Sequence, residues 1–489
     1  MACATNDECV ARNGEYSVCR KRDKVCISLQ SRDCTRVVGD YKNDNAIILG
    51  SLLPTEGADR TTGIAIQNAI ELALDDFRKS GSIPPRPGTT ERRPLVLVGC
   101  NDASDDEVAV RAGRHLVNEV QVPAIIGAAF SGITIKVATE VTIPADVLLI
   151  SPSATSVAIT QLDDRGLVWR TSPSDIIQAD AHAALMPFVE AEILARPTAT
   201  PIRVAIAHKG DSYGTGLAQA LLQKVVFNKK RAIDPGNSAS LKVLDYGDPG
   251  DPVKPPDYAG TIQQLIAFLP HIVYLFGTTE TITDLLAGIE AQWPTAAPRP
   301  TYLVADGAFI PEAWGYLKEH DPADEKRKRI FGTVPGTNNA NYQTFRILYG
   351  SAIRDGTTAD TAGTANAYDA LYNIAYAAVA IGDRPVTGPN LVAGFARQVP
   401  PGAAARVGSA NINTALQQLL GGKSIDFDGA SGPLDYDLAT GEAASDIQIW
   451  CIPLVDKTAG AGKNSDTFYD PSTKTLEGTL AGVRTACGM

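Results

Sequence analysis

The sequence predicts an α/β fold of two lobes, each a doubly wound parallel sheet, with a small cysteine-rich segment in front. Short apolar runs that resemble buried strands alternate with stretches of helical periodicity, which is typical of parallel sheets covered by helices on both faces. This alternation restarts after residue 175, and 489 residues suit two such lobes better than one very large sheet. Five of the eight cysteines lie within the first 34 residues.

The composition is that of a globular chain. Hydrophobic residues make up 44% of the sequence and charged residues 20%, which is enough material for large cores. The formal net charge of −11 argues against nucleic acid as a partner, because non-specific binding to nucleic acid needs basic patches. No apolar run approaches the ~20 residues of a membrane helix, so we expect no membrane span.

The cysteine-rich segment, residues 1–40, is predicted to be stapled by disulfides. A zinc site is the alternative, but C-x2-C pairs are lacking and no histidine lies before His115. Dense cysteines in a short polar segment are typical of an oxidising compartment, so we expect a periplasmic or extracytoplasmic protein. Spacing does not give the connectivity, which stays open for all eight cysteines: Cys3, Cys9, Cys19, Cys26, Cys34, Cys100, Cys451 and Cys487.

The first residues also bear on export. Met1 is followed directly by polar residues, and we expect that an export signal has been removed. The pair Ala2 and Cys3 resembles the end of a lipoprotein signal, in which Cys3 would carry the lipid. A lipid anchor at Cys3 would then be the chain's single contact with a membrane.

The first lobe is predicted from four short apolar runs, the first of which ends in a turn with glycine and proline. Apolar residues from Ile66 to Phe77 recur at helical spacing, and further helices are expected at 106–120 and from Gly132 to Val141. The four predicted strands of this lobe lie at 46–54, 94–100, 124–130 and 147–153.

The second lobe repeats the pattern. Proline-rich pieces at 248–257 and 294–300 fall inside the repeating units and are therefore interpreted as surface loops. The four predicted strands of this lobe lie at 203–208, 241–246, 271–277 and 301–306.

Polar side chains follow several predicted strands at the point where each strand ends. In open α/β sheets, ligands bind at the carboxyl ends of the strands. Each residue taken alone is more simply a helix cap or a turn hydroxyl, but five at equivalent positions in two lobes favour a binding site. Ser131 also opens a helix, where free N–H groups favour an anion. The five residues are Ser131, Ser153, Thr155, Tyr213 and Asp306.

From Ala46 to Val455 the sequence resembles the type I periplasmic binding proteins, specifically the Leu/Ile/Val-binding branch that serves ABC importers. The resemblance rests on the order and spacing of seven segments and leaves out the cysteine-rich segment. These segments are "GSLLPTEG", "NDASDDEVAV", "IIGAAFSGITIKVA", "LLISPSATSVAIT", "VAIAHKGDSYGTGLA", "VYLFG" and "FDGASGPLDYDLATGE".

The resemblance implies three hinge crossings, near Arg170–Pro173, Gly332–Gly336 and Ile425–Gly432. It implies a ligand held between the lobes, which close by hinge motion. The helix in 364–382 would return to the first lobe, and the strand in 446–455 would close the second. The domain boundaries that follow are 41–171 and 336–428 for lobe 1, and 172–335 and 429–489 for lobe 2.

The resemblance also implies the roles of individual residues. Ser131 and Thr155 match hydroxyls that hold the ligand carboxylate, and Tyr213 matches an aromatic of the second lobe. Asp306 stands where amino-acid binders keep an acid for the ammonium group. The expected ligand contacts are Ser131, Ser153, Ala154, Thr155, Tyr213 and Asp306, of which Ser153 and Ala154 would line the site with their backbone.

Some positions depart from the family's pattern. Ser104 and Phe130 stand where this branch has a disulfide near the site, so Cys100 either pairs elsewhere or stays free. Gly132 stands where a serine is frequent, which removes a hydroxyl. These differences leave the identity of the ligand open.

A serine hydrolase is the enzymatic alternative, because "GDSYG" (210–214) satisfies G-x-S-x-G between a predicted strand and helix. His271 and His320 follow it in the sequence, but no HGGG-type oxyanion loop precedes it, and His271 lies at the start of a strand. We therefore expect no enzyme. The five histidines are far apart, and we expect neither a metal site nor a cofactor.

Two binding functions remain. The first is a monomeric extracytoplasmic receptor that captures an amino acid or a similar small carboxylate and delivers it to an ABC transporter permease. The second is a sensor domain that uses the same fold to report a ligand to a signalling partner. The sequence favours the first, because it contains no kinase or membrane segment.

Overall fold

The chain folds into two units, each built around its own eight-stranded mixed sheet. The computed structural model describes residues 2–57, 59–196, 200–336 and 339–489. Unit 1 consists of Met1–Ala154, Ile159–Ser172 and Asn339–Ala443, and unit 2 consists of Thr155–Ala158, Pro173–Asn338 and Ala444–Met489.

The sheet of unit 1 is parallel apart from one antiparallel strand at each edge. All four strands predicted for the first lobe are present. In spatial order the strands are Tyr436–Asp437, Glu442–Ala443, Val168–Arg170, Leu148–Ser151, Ala124–Gly127, Ile47–Leu53, Leu95–Asn101 and Arg36–Val38. Two smaller sheets pair Ser17–Arg20 with Val25–Ser28, and Ala403–Arg406 with Ile425–Asp428.

The helices of unit 1 surround this sheet. The returning helix, predicted in 364–382, spans Thr364–Ala380 and is buried along almost its whole length. It packs against the helix Arg60–Lys79, where the hydroxyls of Tyr368 and Tyr372 donate to the carboxylate of Asp76. The other helices are Asn6–Asn13, Asp106–Arg114, Ser131–Val137, Ala340–Ala352, Gly388–Phe395 and Ser409–Leu420, with π-helical continuations at His115–Val120 and Ala138–Thr142.

The sheet of unit 2 has five parallel strands followed by three antiparallel ones. All four strands predicted for the second lobe are present. In spatial order the strands are Leu241–Asp245, Val204–His208, Ile272–Phe276, Thr301–Val304, Ile330–Pro335, Ile447–Cys451, Lys463–Asp470 and Thr475–Glu477. The main helices are Asp175–Leu194, Ser212–Lys224, Tyr258–Phe268, Ala287–Gln292, Pro311–His320 and Leu480–Ala486.

All eight cysteines are paired in disulfides, as predicted for the cysteine-rich segment. Because their sulfurs are bonded to one another, the zinc alternative is wrong. The sulfur of Cys3 is bonded to Cys19 and therefore is not free to carry a lipid, which corrects the expectation of an anchor at Cys3. The pairs are Cys3–Cys19, Cys9–Cys26, Cys34–Cys100 and Cys451–Cys487.

The cysteine-rich segment packs as part of unit 1. Its buried Ile27 and Leu29 join the core that contains Leu116. The ring Nε2 of His115 lies 3.0 Å from the carbonyl of Leu29, and Arg111 forms an ion pair with Asp33. The disulfide Cys34–Cys100 adds a covalent link to the sheet.

The chain passes from unit 1 to unit 2 after Ser172, returns to unit 1 at Asn339 and passes to unit 2 again after Ala443. Residues 429–443, which the prediction assigned to lobe 2, group with unit 1. The backbone N–H groups of Ala430 and Ser431 donate to the buried carboxylate of Asp369, at 2.8 and 2.7 Å, which holds this segment to the returning helix. Within the described ranges, no helix combines the length and apolar character needed to cross a membrane.

Candidate functional site

In unit 1, the predicted contact residues lie where the strands Ala124–Gly127 and Leu148–Ser151 end. The hydroxyl of Ser151 donates to the carbonyl of Ala128 and that of Ser153 to the carbonyl of Ala129, both at 2.6 Å. The N–H of Ala154 donates to the Ser151 hydroxyl at 3.0 Å. Ser151, which the sequence analysis did not single out, therefore organises this edge of the sheet.

Ser131 begins the helix Ser131–Val137 and is buried. The preceding Phe130 has extended backbone and provides no side-chain cap. Next to Ser131, a Cβ on Gly132 would have no heavy atom within 4 Å among the described residues, apart from its chain neighbours and the backbone of its own helix. The room left by the missing serine at position 132 is thus open space.

Thr155 groups with unit 2, unlike the neighbouring Ala154. Its carbonyl accepts from the N–H of Asp175 at 2.8 Å. Its hydroxyl is buried and has no hydrogen-bond partner among the described residues. A buried hydroxyl without a partner is costly, so this group is well suited to bind a ligand atom.

In unit 2, Asp306 follows the strand Thr301–Val304 and is 7% exposed. Its Oδ1 accepts from the hydroxyl of Tyr213 at 2.6 Å and from Nε2 of Gln178 at 3.0 Å. Asp306 opens the 3₁₀ turn Asp306–Ala308, but no side-chain cap hydrogen bond is formed there. The side-chain hydrogen bonds of Asp306 thus come from Tyr213 and Gln178, which lie outside this turn.

Burial raises the pKa of Asp306, and the hydrogen bonds from Tyr213 and Gln178 oppose that rise. Burial, followed by the nearby charges of Asp306 and Asp175, raises the pKa of Tyr213 well above its ordinary value. Within the part of the chain that the structure describes, no salt bridge involves Asp306. The side chains that donate to its carboxylate, Tyr213 and Gln178, are uncharged.

Tyr213 lies at the start of the helix Ser212–Lys224, which Asp211 caps by accepting from the N–H of Gly214 at 2.8 Å. The Tyr213 hydroxyl also accepts from the N–H of Gly307 at 3.3 Å. The structure thus brings together Tyr213 and Asp306, which were predicted separately from two distant segments.

Ser212, which precedes Tyr213, is the serine of the G-x-S-x-G motif on which the hydrolase alternative rests. The hydroxyl of Ser212 is buried without a partner among the described residues. His271 uses Nδ1 to accept from the N–H of Arg203 at 2.9 Å, and Nδ1 of His320 lies 2.9 Å from the carbonyl of Tyr316. Neither histidine is hydrogen-bonded to Ser212 in the described residues, so the arrangement of a serine nucleophile and its base is not formed.

The sequence analysis missed a second polar cluster at the same end of the unit 2 sheet. Oε1 of the buried Glu280 accepts from the hydroxyl of Tyr246 at 2.7 Å and from the N–H of Thr278 at 3.0 Å. Lys209 forms an ion pair with Asp211 at 3.1 Å. Burial lowers the pKa of Lys209, but the nearby charges of Asp211 and Glu280 raise it above its ordinary value. The cluster carries its own cation, in contrast to Asp306.

His182, one of the five histidines, is fully buried. It lies in the helix Asp175–Leu194 beside the rings of Tyr274 and Phe276. Burial lowers the pKa of His182 to about 3, so the ring is neutral.

Comparisons with known proteins agree with this architecture. Residues 46–223 match the family model described as periplasmic binding protein. The chemotactic signal transduction system substrate-binding protein BasB of Halobacterium salinarum is 25% identical over 398 residues, which covers 80% of this chain and 84% of that protein.

Two solved structures share the fold. The leucine-binding protein LivK of Thermotoga maritima has a TM-score of 0.62 and 17% identity, covering 88% of this chain and 100% of that one. An ABC transporter solute-binding protein of Rhodopseudomonas palustris BisB5, in complex with 3,4-dihydroxybenzoic acid, has a TM-score of 0.59 and 15% identity, covering 86% and 98%.

The paired mixed sheets have the fold of these two solute-binding protein structures. The family model extends the likeness to periplasmic binding proteins to the sequence of residues 46–223. The resemblance read from the sequence is confirmed.

Proposed function

We propose that this protein is an extracytoplasmic receptor for an amino acid, which it delivers to an ABC transporter permease. The observation that carries the proposal is the buried carboxylate of Asp306, whose side-chain donors Tyr213 and Gln178 are neutral. A buried carboxylate is costly unless a cation meets it, and the ammonium group of an amino acid is such a cation.

The other predicted contacts have groups that suit a carboxylate. The partnerless hydroxyl of Thr155 can donate to a ligand oxygen, and Ser131 stands at a helix start, where N–H groups favour an anion. The hydroxyl of Ser153 is already bonded to Ala129, so Ser153 would contribute through its backbone.

The similar proteins support a small carboxylate as the ligand class. The Thermotoga maritima structure is named a leucine-binding protein, whereas the Rhodopseudomonas palustris structure holds an aromatic acid that has no ammonium group. Asp306 would distinguish the two ligand types, because an ammonium group can pair with its buried carboxylate and a simple carboxylate has no such group.

Calorimetry with three ligands tests the proposal. We expect the protein to bind L-leucine, or another member of a panel of natural amino acids, and to bind 4-methylpentanoate and benzoate much more weakly. Native mass spectrometry of freshly purified protein would show whether a ligand is retained. Tight binding of benzoate with no binding of any amino acid would contradict the amino-acid assignment.

Delivery to a permease is the inference from the family. Four disulfides fit an oxidising compartment outside the cytoplasm. Uptake of labelled amino acid by cells with and without the gene is the direct measurement, and unchanged uptake would argue against transport.

Sensing is the second candidate, because the relative BasB, which matches across 80% of this chain, is named for chemotactic signal transduction. A sensor would leave uptake unchanged when its gene is deleted, but would abolish the cell's response to a gradient of the same amino acid. Uptake and taxis assays on one deletion strain therefore separate the two functions.

A further inference from the structure

Gln178 makes every hydrogen bond that its amide group can make. Its Nε2 donates to Oδ1 of Asp306 at 3.0 Å and to Oδ1 of Asp175 at 3.2 Å. Its Oε1 accepts from the backbone N–H of Asp306 at 3.1 Å and from the hydroxyl of Thr333 at 2.7 Å. An amide has two donors and two acceptor sites, so all four are used.

The Gln178 amide forms two hydrogen bonds with Asp306. One Gln178 hydrogen bond fixes the carboxylate and another fixes the backbone N–H of the same residue, so both the turn and the side chain are held. Gln178 is 1% exposed, which makes these bonds stronger than they would be in water and makes their loss costly.

Gln178 is itself held in one orientation. The hydroxyl of Thr333 has a single hydrogen, which it donates to Gln178, so the contact of 2.9 Å between Thr333 and His182 has Nε2–H of His182 as the donor. His182 is neutral and buried. The bonds therefore run in one direction, from His182 through Thr333 and Gln178 to Asp306.

The two supporting residues come from elements next to the chain crossings. Gln178 lies in the first turn of the helix Asp175–Leu194, which begins shortly after the chain enters unit 2 at Pro173. Thr333 lies in the strand Ile330–Pro335, shortly before the chain returns to unit 1. Asp306 is thus fixed by the two segments of unit 2 that adjoin these crossings.

We propose that Gln178 is the positioning residue that holds Asp306 for the ammonium group of the ligand, with Thr333 as its support. The inference rests on the proposed function and adds a residue that sets selectivity for amino acids over simple acids. Gln178 does not need to touch the ligand, because it acts through the direction in which the Asp306 carboxylate points.

The test compares L-leucine with 4-methylpentanoate, which has the same carbon skeleton without the ammonium group. Gln178→Met keeps the length of the side chain but removes all four hydrogen bonds. We expect it to weaken L-leucine binding by about 10- to 100-fold, the range for a lost hydrogen bond to a charged group. Binding of 4-methylpentanoate should change by less than about threefold, since that ligand does not use Asp306.

Thr333→Val is the milder variant, because it removes one hydroxyl and leaves the Gln178–Asp306 bonds in place. We expect a smaller loss of L-leucine affinity, about two- to tenfold, with the same selectivity. It keeps the test decisive if Gln178→Met folds poorly. Equal losses for both ligands in both variants would mean a general structural role and would overturn the inference.

A double-mutant cycle separates this inference from the proposed function. In an Asp306→Asn background, Gln178→Met should cause no further loss of L-leucine affinity, because the group it positions is gone. If Asp306→Asn loses L-leucine selectively while Gln178→Met has no effect, the proposed function stands and the positioning role is wrong. If the unmodified protein binds no amino acid, the proposed function is wrong, and the inference that rests on it is wrong as well.

Discussion

Each unit has a buried carboxylate just beyond the end of a parallel strand, and the two carboxylates differ in their hydrogen bonds. Asp306 of unit 2 accepts from two side chains, Tyr213 and Gln178. Asp102 of unit 1 accepts from the backbone N–H of Ser104 at 2.9 Å, while its Oδ2 is buried without a partner among the described residues.

The two acids also differ in the groups that oppose the effect of burial on their pKa. Burial raises the pKa of Asp102 to about 7, against the single opposing bond from Ser104. In Asp306, side-chain donors are arranged around the carboxylate and oppose the effect of burial. Burial alone thus does not distinguish the two acids, whereas the side-chain donors around Asp306 do.

The largest expected effect is the loss of amino-acid affinity in Asp306→Ala. Removing one partner of a desolvated charge pair should cost about 2–5 kcal/mol of binding free energy for L-leucine. The loss for 4-methylpentanoate should be much smaller. Calorimetry with both ligands checks this, and equal losses would remove the distinction drawn between Asp306 and Asp102.

Asp102→Asn is the matched control for that experiment, since it removes a buried charge at the end of a strand in the other unit. It should leave L-leucine affinity within about threefold of the unmodified protein, because among the described residues Asp102 accepts only from the backbone N–H of Ser104 and from no side chain. A loss as large as that of Asp306→Ala would assign both acids to binding.

The second prediction concerns the partnerless hydroxyl of Thr155. Thr155→Val keeps the shape of the side chain and should cost about 1–3 kcal/mol of ligand affinity, the range for a hydrogen bond to a charged group. The free energy of unfolding without ligand should not fall, because no internal hydrogen bond is lost. Calorimetry and urea unfolding of the same preparation measure both quantities.

Ser153→Ala is the contrasting variant, since the Ser153 hydroxyl donates to the carbonyl of Ala129. It should lower the free energy of unfolding by about 0.5–1.5 kcal/mol, the usual contribution of one hydrogen bond. If Thr155→Val destabilises the protein and leaves affinity unchanged, the Thr155 hydroxyl is a structural group.

Much of the fold was predictable because apolar runs and their end signals are local properties of the sequence. The strands Leu148–Ser151 and Thr301–Val304, for example, are continuous apolar stretches that are buried on both faces. Residues 429–443 were assigned to the other lobe, because their place depends on hydrogen bonds to the distant Asp369, which no local pattern reveals.

The candidate site residues were predictable only where they directly follow a strand of the sheet. Asp306 and Tyr213 follow strands, so topology alone brings them to one edge. Gln178 lies inside a helix, and a glutamine there looks like any other polar helix residue. Its importance comes from Thr333 and Asp306, which are more than 100 residues away in sequence. The disulfide partners were equally beyond local patterns.

The third prediction uses the pH dependence of stability. The folded pKa of Asp102, about 7, lies above its unfolded value of about 3.9, so the folded state binds an extra proton between these values. Stability that Asp102 contributes at low pH is therefore lost as the pH rises toward 7. The effect of Asp102→Asn on the free energy of unfolding should therefore be more favourable at pH 8 than at pH 4, by about 3–4 kcal/mol, because the folded and unfolded pKa values differ by about three.

Urea unfolding at pH 4, 6 and 8 measures this slope. Asp306→Asn is the comparison. Burial raises the pKa of Asp306 as well, so this variant should change the free energy of unfolding in the same direction between pH 4 and 8. A slope of opposite sign would show that the hydrogen bonds from Tyr213 and Gln178 outweigh burial.

The smallest expected effect belongs to Gly132→Ser, which restores a residue frequent at this position in the similar family. Apart from its chain neighbours and the backbone of its own helix, no heavy atom of the described residues lies within 4 Å of the added Cβ, and Gly132 is in the helix Ser131–Val137, so the free energy of unfolding should stay within about 0.5 kcal/mol. The new hydroxyl lies beside Ser131, where a ligand carboxylate is expected. We expect affinity for L-leucine and for 4-methylpentanoate to rise equally, by about two- to fivefold, because both ligands have the carboxylate. A gain for L-leucine alone would place the ammonium group, rather than the carboxylate, at the unit 1 edge and would reverse the roles assigned to the two carboxyl-end sites.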